Sequence, residues 1–306
     1  MHESNLAFAA SVIIASDYEE GNEKTWETER KILTALAKQD FKEPFEIILV
    51  DYKIYQESLP KDLSDILPNL KIIFSNDAES AKRKDYGVKF STSELVAVLE
   101  ADCIPCSSWL RILVEDLRTL PDMVAVSGRT TYGDDSIYKR ALSLLDRSFD
   151  DLGNAGKTQF VSNNGALYRR HILEAFPYPE AITPFLSSRT RNQAILDAGY
   201  QFYFDPRVSM QHAIGGWEFI KDVRRNTGYS DMMELAATPS LNEVPRLLMK
   251  RQKFEWSLYK RLGRKRLKWY DWPLAIVLLF VARWCEVPGM IDAVKGNQSI
   301  PNTAYR

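Results

Sequence analysis

The stretch VLEADCIP, closing at Pro105, runs an apolar segment into Glu100, Asp102 and Cys103. Two carboxylates separated by one residue at a strand end suit a hard divalent cation, since Mg2+ and Mn2+ take oxygen ligands and bridge to phosphates. Solvated acids at a strand tip give the same pattern, so the pair by itself leaves both readings open. Cys103 and Cys106 form a C-x-x-C, which reads as a redox couple or as half a zinc site. No second C-x-x-C accompanies it, and the histidines are His2, His171 and His212. A zinc site therefore lacks the further ligands it needs, and the redox reading is left as the lesser alternative.

Other acids sit in the same kind of place. Asp17 follows the apolar run FAASVIIA (8–15), and Asp51 closes FEIILVD. LKIIF (70–74) and ELVAVLE (94–100) continue the series, and VAVSG (124–128) adds a strand with a glycine stop. Continuous apolar runs without alternation suit strands covered on both faces. Between them lie helical stripes: Ile32, Leu33 and Leu36 after KTWETER, then Leu110, Leu113, Val114 and Leu117 after Pro105. Residues 135–152 predict an amphipathic helix with Ile137, Ala141, Leu144 and Phe149 on one side. QFVSNNGALYRR (159–170) predicts a strand entering a helix, and RNQAILDAGYQFYFDP a helix, a glycine cap and a strand. Strands alternating with helices give an α/β fold, with a mostly parallel sheet and helices on both faces. In such sheets ligands sit outside the carboxyl ends of the strands, where Asp17, Asp51, Glu100 and Asp102 fall.

Two chemistries suit that crevice. In a receiver-like phosphoacceptor, Asp17, Glu19 or Glu20 would hold Mg2+ and Asp51 would take the phosphate; but Asp51 ends the second run, and 306 residues far exceed a lone receiver. In a nucleoside-diphosphate site, the first acids would hold base and ribose, and Asp102 the metal on the diphosphate. A net charge of −1 argues against a nucleic-acid partner. The chain opens without a basic n-region or a cleavage site, and it has three cysteines in all. Both features predict a reducing, cytoplasmic setting.

The order of motifs favours the second chemistry. SVIIASDYEE, EIILVD, AKRKDYGVKFSTSELVAVLEADCIPCSSWL, NNGALYRR and AGYQFYFDPRVSMQH, in that sequence, resemble the family-two glycosyltransferases of the GT-A fold. The resemblance runs from about Ser11 to about Gly228. It implies a GT-A-like, Rossmann-type α/β domain over 1–215 and a helical extension over 216–306. It implies a sugar moved, with inversion, from a nucleoside-diphosphate donor to a saccharide or lipid-linked acceptor, with help from Mn2+ or Mg2+. Ala15, Ser16 and Asp17 match the turn that touches the nucleobase, although the usual proline is missing. Asp51 matches the acid that binds base or ribose. Lys84, in KDYGV, matches a basic residue facing the nucleotide; otherwise it lies on a solvated helix face with Lys82 and Arg83. Glu100, Ala101 and Asp102 match the Asp-x-Asp motif, with Asp102 as metal ligand and His212 completing the set. Asn163, Asn164 and Gly165 lie where the family lines the sugar and acceptor pocket. Trp217 is placed to stack on a sugar, or else packs in the core.

The pattern breaks at the catalytic base. The acidic pair that the family supplies falls here on Ser187 and Ser188, neither of them a base at neutral pH, and Glu180 lies upstream with no spacing that requires it. The base is therefore not identified. A catalytically degenerate binder of nucleotide sugars or of a partner protein remains the competing reading. KRLGRKRLK (260–268) carries six basic residues just before the apolar WPLAIVLLFVA (272–282), with Trp269, Tyr270, Trp272 and Trp284 around it. The run is short for a bilayer span. It suits either a peripheral contact with an anionic membrane on its cytoplasmic face or a core helix with a solvated basic side.

Overall fold

In the computed structural model, residues 8–16, 25–67, 69–180, 184–236 and 238–297 are described. The expected apolar runs form strands β1 (Ala10–Ala15), β2 (Phe45–Tyr52), β3 (Leu70–Ser75) and β4 (Leu95–Glu100). Helices α1 (Glu27–Ala37), α2 (Leu63–Ile66) and α3 (Ser80–Val88) lie between them. Then follow β5 (Cys103–Pro105), α4 (Trp109–Thr119), β6 (Met123–Thr131), α5 (Ile137–Asp146), β7 (Gly156–Thr158) and β8 (Ala166–Arg169). The chain continues through α6 (Arg170–Ala175), α7 (Pro184–Asp197) and β9 (Gln201–His212). It ends in α8 (Trp217–Leu235), α9 (Val244–Arg266) and α10 (Trp272–Val294).

Among the described residues nine strands form one sheet, in the order β3-β2-β1-β4-β8-β6-β9-β5, with β7 on β9. The β3-β2-β1-β4 half is parallel. Beyond it the sheet is mixed: β8 runs antiparallel to β4 and β6, β9 runs parallel to β6, and β5 and β7 are antiparallel to β9. Successive residues explain why the runs are continuously apolar. Val12 and Ile14 pack under α1 and α4, while Ile13 turns to the opposite face, with Val88 of α3 and Ile172 of α6.

Three local expectations change. The strand containing VAVSG runs on through Gly128 to Thr131, its register against β9 shifting between Ser127 and Arg129. The helix expected over 135–152 stops at Asp146, where the Arg147 N–H closes on the Ser143 carbonyl. Phe149 then stands outside the helix and packs edge-on against Phe160. The third concerns β5, too short to announce itself in sequence, which is a strand only because β9 supplies its partner.

Helices α8, α9 and α10 pack on α5 rather than standing apart. Leu142, Leu144 and Leu145 of α5 share a buried cluster with Tyr259, Leu262, Leu278 and Leu279. The 213–216 link leads from β9 into α8.

Candidate functional site

Strand ends build the site. β1 delivers Ala15 and Ser16, both buried, and the Ser16 carbonyl accepts a 2.7 Å hydrogen bond from Arg83. The Ser16 hydroxyl is buried without a hydrogen-bond partner among the described residues. Asp17 lies outside the described residues. Asp51, at the end of β2, is fully buried, and its carboxylate accepts the Tyr52 N–H at 2.6 Å. The Ala101 N–H donates to the Ala15 carbonyl at 3.1 Å, tying the turn after β4 to the end of β1. Helix α3 does not present a solvated basic face: Arg83 and Lys84 are buried. The Lys84 ammonium donates to Glu100 at 2.7 Å. Burial would push the Glu100 carboxyl up, but Lys84, with His212 and Arg147, holds it below its ordinary value.

The antiparallel pairing of β5 and β9 sets Cys103 opposite His212 and so brings His212 to Asp102. His212 Nε2 is 3.2 Å from Asp102 Oδ2. Its Nδ1 lies 2.6 Å from the Ala213 carbonyl, which assigns the ring proton to Nδ1 and leaves a lone pair on Nε2. Burial, reinforced by the Arg147 charge, lowers the His212 pKa and keeps the ring neutral. A carboxylate oxygen and an imidazole lone pair thus face each other, and a cation between them would relieve that opposition. Arg147 supplies one positive group, its Nη2 lying 2.8 Å from Nε2.

Ligand atoms of Glu100, Asp102, Cys103 and His212 all lie within 4.8 Å of one another. Burial, then Asp102 and Glu100, push the Cys103 thiol well above its usual pKa, so it stays a thiol and donates to Asp102 Oδ1 at 3.3 Å. The carboxylate oxygens and the imidazole nitrogen of this group suit Mn2+ or Mg2+. Cys106 is not bonded to Cys103; its sulfur lies near the Ser108 hydroxyl.

These groups border a cleft of about 630 Å³ that runs from Glu100, Asp102 and Lys84 to α8 and α9. Asn163 and Asn164 line it, with the Asn163 amide held between the Ser188 and Tyr178 hydroxyls. Gly165 and Trp217 are not among its lining residues. Gly165 serves the fold: its φ of +134° favours glycine, a side chain there would strike Met210, and its carbonyl accepts the indole N–H of Trp109. Trp217 is half-exposed at the start of α8, and its neighbour Phe219 reaches the cleft instead. Ser187 donates to the Pro179 carbonyl, and Glu180 is exposed and away from the cleft lining.

Sequence reasoning passed over Arg147 and Asp150, which lie within the segment 135–152 read as plain helix. Asp150 lines the cleft and is buried, and neither of its oxygens has a hydrogen-bond partner among the described residues. Burial raises its pKa to about 7, against the opposing charges of Arg266 and Arg147. The other lining carboxylates are engaged: Glu100 by Lys84, Asp102 by the Cys103 thiol and Asp146 by Arg224.

Comparison with known proteins agrees with this architecture. A mannosyltransferase from Pyrobaculum calidifontis, PcManGT, solved in complex with GDP-Man and Mn2+, superposes with a TM-score of 0.60. The two are 14% identical, and the match covers 95% of this chain and 88% of that one. S. aureus TarS (1–349), solved in complex with UDP, matches at 14% identity and a TM-score of 0.46, covering 94% and 90%. No curated protein sequence matches the chain. The sequence pattern of Glycosyl transferase family 2 matches residues 11–176, more than half of the 306 residues. The chain belongs to glycosyl transferase family 2.

Proposed function

We propose that this protein transfers a sugar, with inversion, from a nucleoside-diphosphate donor to a hydroxyl of a saccharide or lipid-linked acceptor. The observation that carries the reading is Asp102 facing the neutral His212 lone pair in a cleft that also holds Lys84, Asn163 and Asn164. Asp102 and His212, with Glu100 beside them, would hold Mn2+ or Mg2+. When bound, the ion supplies positive charge to the departing nucleoside diphosphate. Ser16 and Asp51, at the ends of β1 and β2, bind base and ribose. Lys84 fixes Glu100 and adds positive charge beside the phosphates. Arg147, which lines the cleft beside His212, would offer its guanidinium to a phosphate oxygen. Amides of Asn163 and Asn164 meet sugar hydroxyls, for which they offer donors and an acceptor.

Asp150 takes the acceptor proton. As the acceptor oxygen bonds to the anomeric carbon, the bond from that carbon to the diphosphate oxygen breaks on the opposite side. A carboxyl with a pKa near operating pH suits proton removal. PcManGT, solved with GDP-Man and Mn2+, supports a donor and metal of this class without naming this chain's own.

A non-catalytic binder is the second reading, favoured by the serines at 187 and 188. Thermal shifts with UDP, GDP, ADP, CDP and dTDP, with and without Mn2+, test the donor site on wild type and Asp102→Ala. One diphosphate at about a hundred times its Kd should add about 2.7 kcal/mol, only with Mn2+ and only in wild type. Release of that diphosphate from its sugar donor, given an acceptor, separates enzyme from binder. No shift with any diphosphate, and no release, would sink the reading.

A further inference from the structure

Helix α10 has two faces of different character. Its span with the preceding turn, Trp269–Val294, is long and apolar enough to cross a membrane. One side is nevertheless committed to the protein. Ala275, Leu278, Leu279 and Ala282 pack against α5 and α9, and Arg283 and Glu286 are buried in ion pairs with Glu255 and Arg224. A spanning helix would have to abandon those pairs in hydrocarbon, where they are costly. The other side has no cover among the described residues. Trp269 is 84% exposed, Val277 55%, Phe280 62% and Trp284 82%. Val277, Phe280 and Trp284 recur at helical spacing and form one outward stripe. Large exposed apolar patches of this kind mark an interaction surface.

What should cover it is set by the neighbouring helix. On α9, Lys253, Trp256, Lys260 and Arg264 are exposed and share one face. Trp256 stacks on Tyr259, which packs against Trp272 and hydrogen-bonds to the Ala275 carbonyl. Lys268, Trp269 and Tyr270 are exposed in the turn between the two helices, so the basic end of α9 runs directly into the exposed aromatics that open α10. Exposed aliphatics and tryptophans beside lysine and arginine match the interface of an anionic bilayer, with rings among the headgroups and cations on the lipid phosphates.

We propose that the α9–α10 hairpin docks in the plane of an anionic lipid bilayer, without crossing it. Arg251, Phe254 and Arg261 of α9 line the cleft, one step around the helix from Lys253, Trp256 and Lys260. A membrane-anchored acceptor would then meet the protein at the helix that forms one wall of the cleft. That consequence rests on the glycosyl-transfer reading; the docking does not.

The test is co-sedimentation of the full chain, without nucleotide, with phosphatidylcholine vesicles and with vesicles half phosphatidylglycerol. Wild type should partition onto the anionic vesicles and come off as salt rises. Two double variants, Phe280→Ser with Trp284→Ser and Lys260→Glu with Arg264→Glu, should each bind at least about tenfold more weakly. All four positions are exposed, and unchanged circular dichroism and melting would show that the fold is kept. The proposal is overturned if wild type ignores both vesicles, or if the variants bind as wild type does. It is equally overturned if light scattering finds a dimer that the Phe280/Trp284 variant dissociates, for then a second copy covers the stripe. The readout needs no nucleotide, so its failure leaves glycosyl transfer standing.

Discussion

Asp150 shows how burial changes what a residue can do. In water its carboxyl would be ionised far below neutral pH; in the cleft wall burial lifts it to about 7. Activity should therefore rise about tenfold per pH unit towards about 7 and then level. Asp150→Asn should lose about 10²–10⁴-fold in kcat, read as nucleoside-diphosphate release. Stability should move the other way. A raised carboxyl pKa favours the fold fully below the unfolded value of 3.8, and that stability is lost as pH climbs through about 7. Asparagine escapes the loss. The variant should gain on the order of 2–4 kcal/mol over wild type at about pH 8, and none at about pH 4, in urea unfolding. A variant that is both active and no more stable would move the base elsewhere.

Helix α8 lies on α10 through two glycines. A methyl at Gly228 would strike the Glu286 carbonyl, and one at Gly289 would strike the Arg225 carbonyl from the other side. Backbone cannot step aside as a side-chain tip can, so Gly289→Ala should part the helices. We expect a loss of about 1–3 kcal/mol by thermal or urea unfolding. Since α8 also carries cleft residues Val223, Arg224 and Thr227, activity should fall with stability. Wild-type stability in Gly289→Ala would mean that the two helices pack less closely than this.

Across the whole molecule, Arg224 is among the side chains that join the C-terminal helices to the α/β layers. Arg224 of α8 pairs with Asp146 at the end of α5, with Glu255 of α9 and with Glu286 of α10. Burial pushes Glu286 up, and the arginines around it oppose that shift. Arg224→Met keeps the bulk and removes the charge, leaving three buried carboxylates short of a partner. A cost of about 3–5 kcal/mol follows, and limited proteolysis should cut first near 213–216, where β9 gives way to α8. If the variant resists denaturant and protease as wild type does, the network contributes little and hydrophobic packing on α5 holds the helices.

The sequence determined the strands and where acids stand on them. FAASVIIA, FEIILVD and ELVAVLE are short, continuously apolar runs that suit strands covered on both faces, and polar residues then gather at their ends. Asp51, Glu100 and Asp102 were legible for that reason, and motif order supplied the family. Tertiary structure decided what those acids meet. His212 reaches Asp102 only because a three-residue strand pairs with β9 in one register, and nothing in CIP announces that partner. Lys84 turns inward because α3 packs on β1, and Asp150 enters the cleft because α5 ends at Asp146. Which face of α10 stays open was equally closed to a reading by composition. Apolar residues surround that helix, and only the packing of α5, α8 and α9 against one side distinguishes core from surface. Local patterns follow from a residue's neighbours in the chain; charge pairing, burial and pKa follow from neighbours in space.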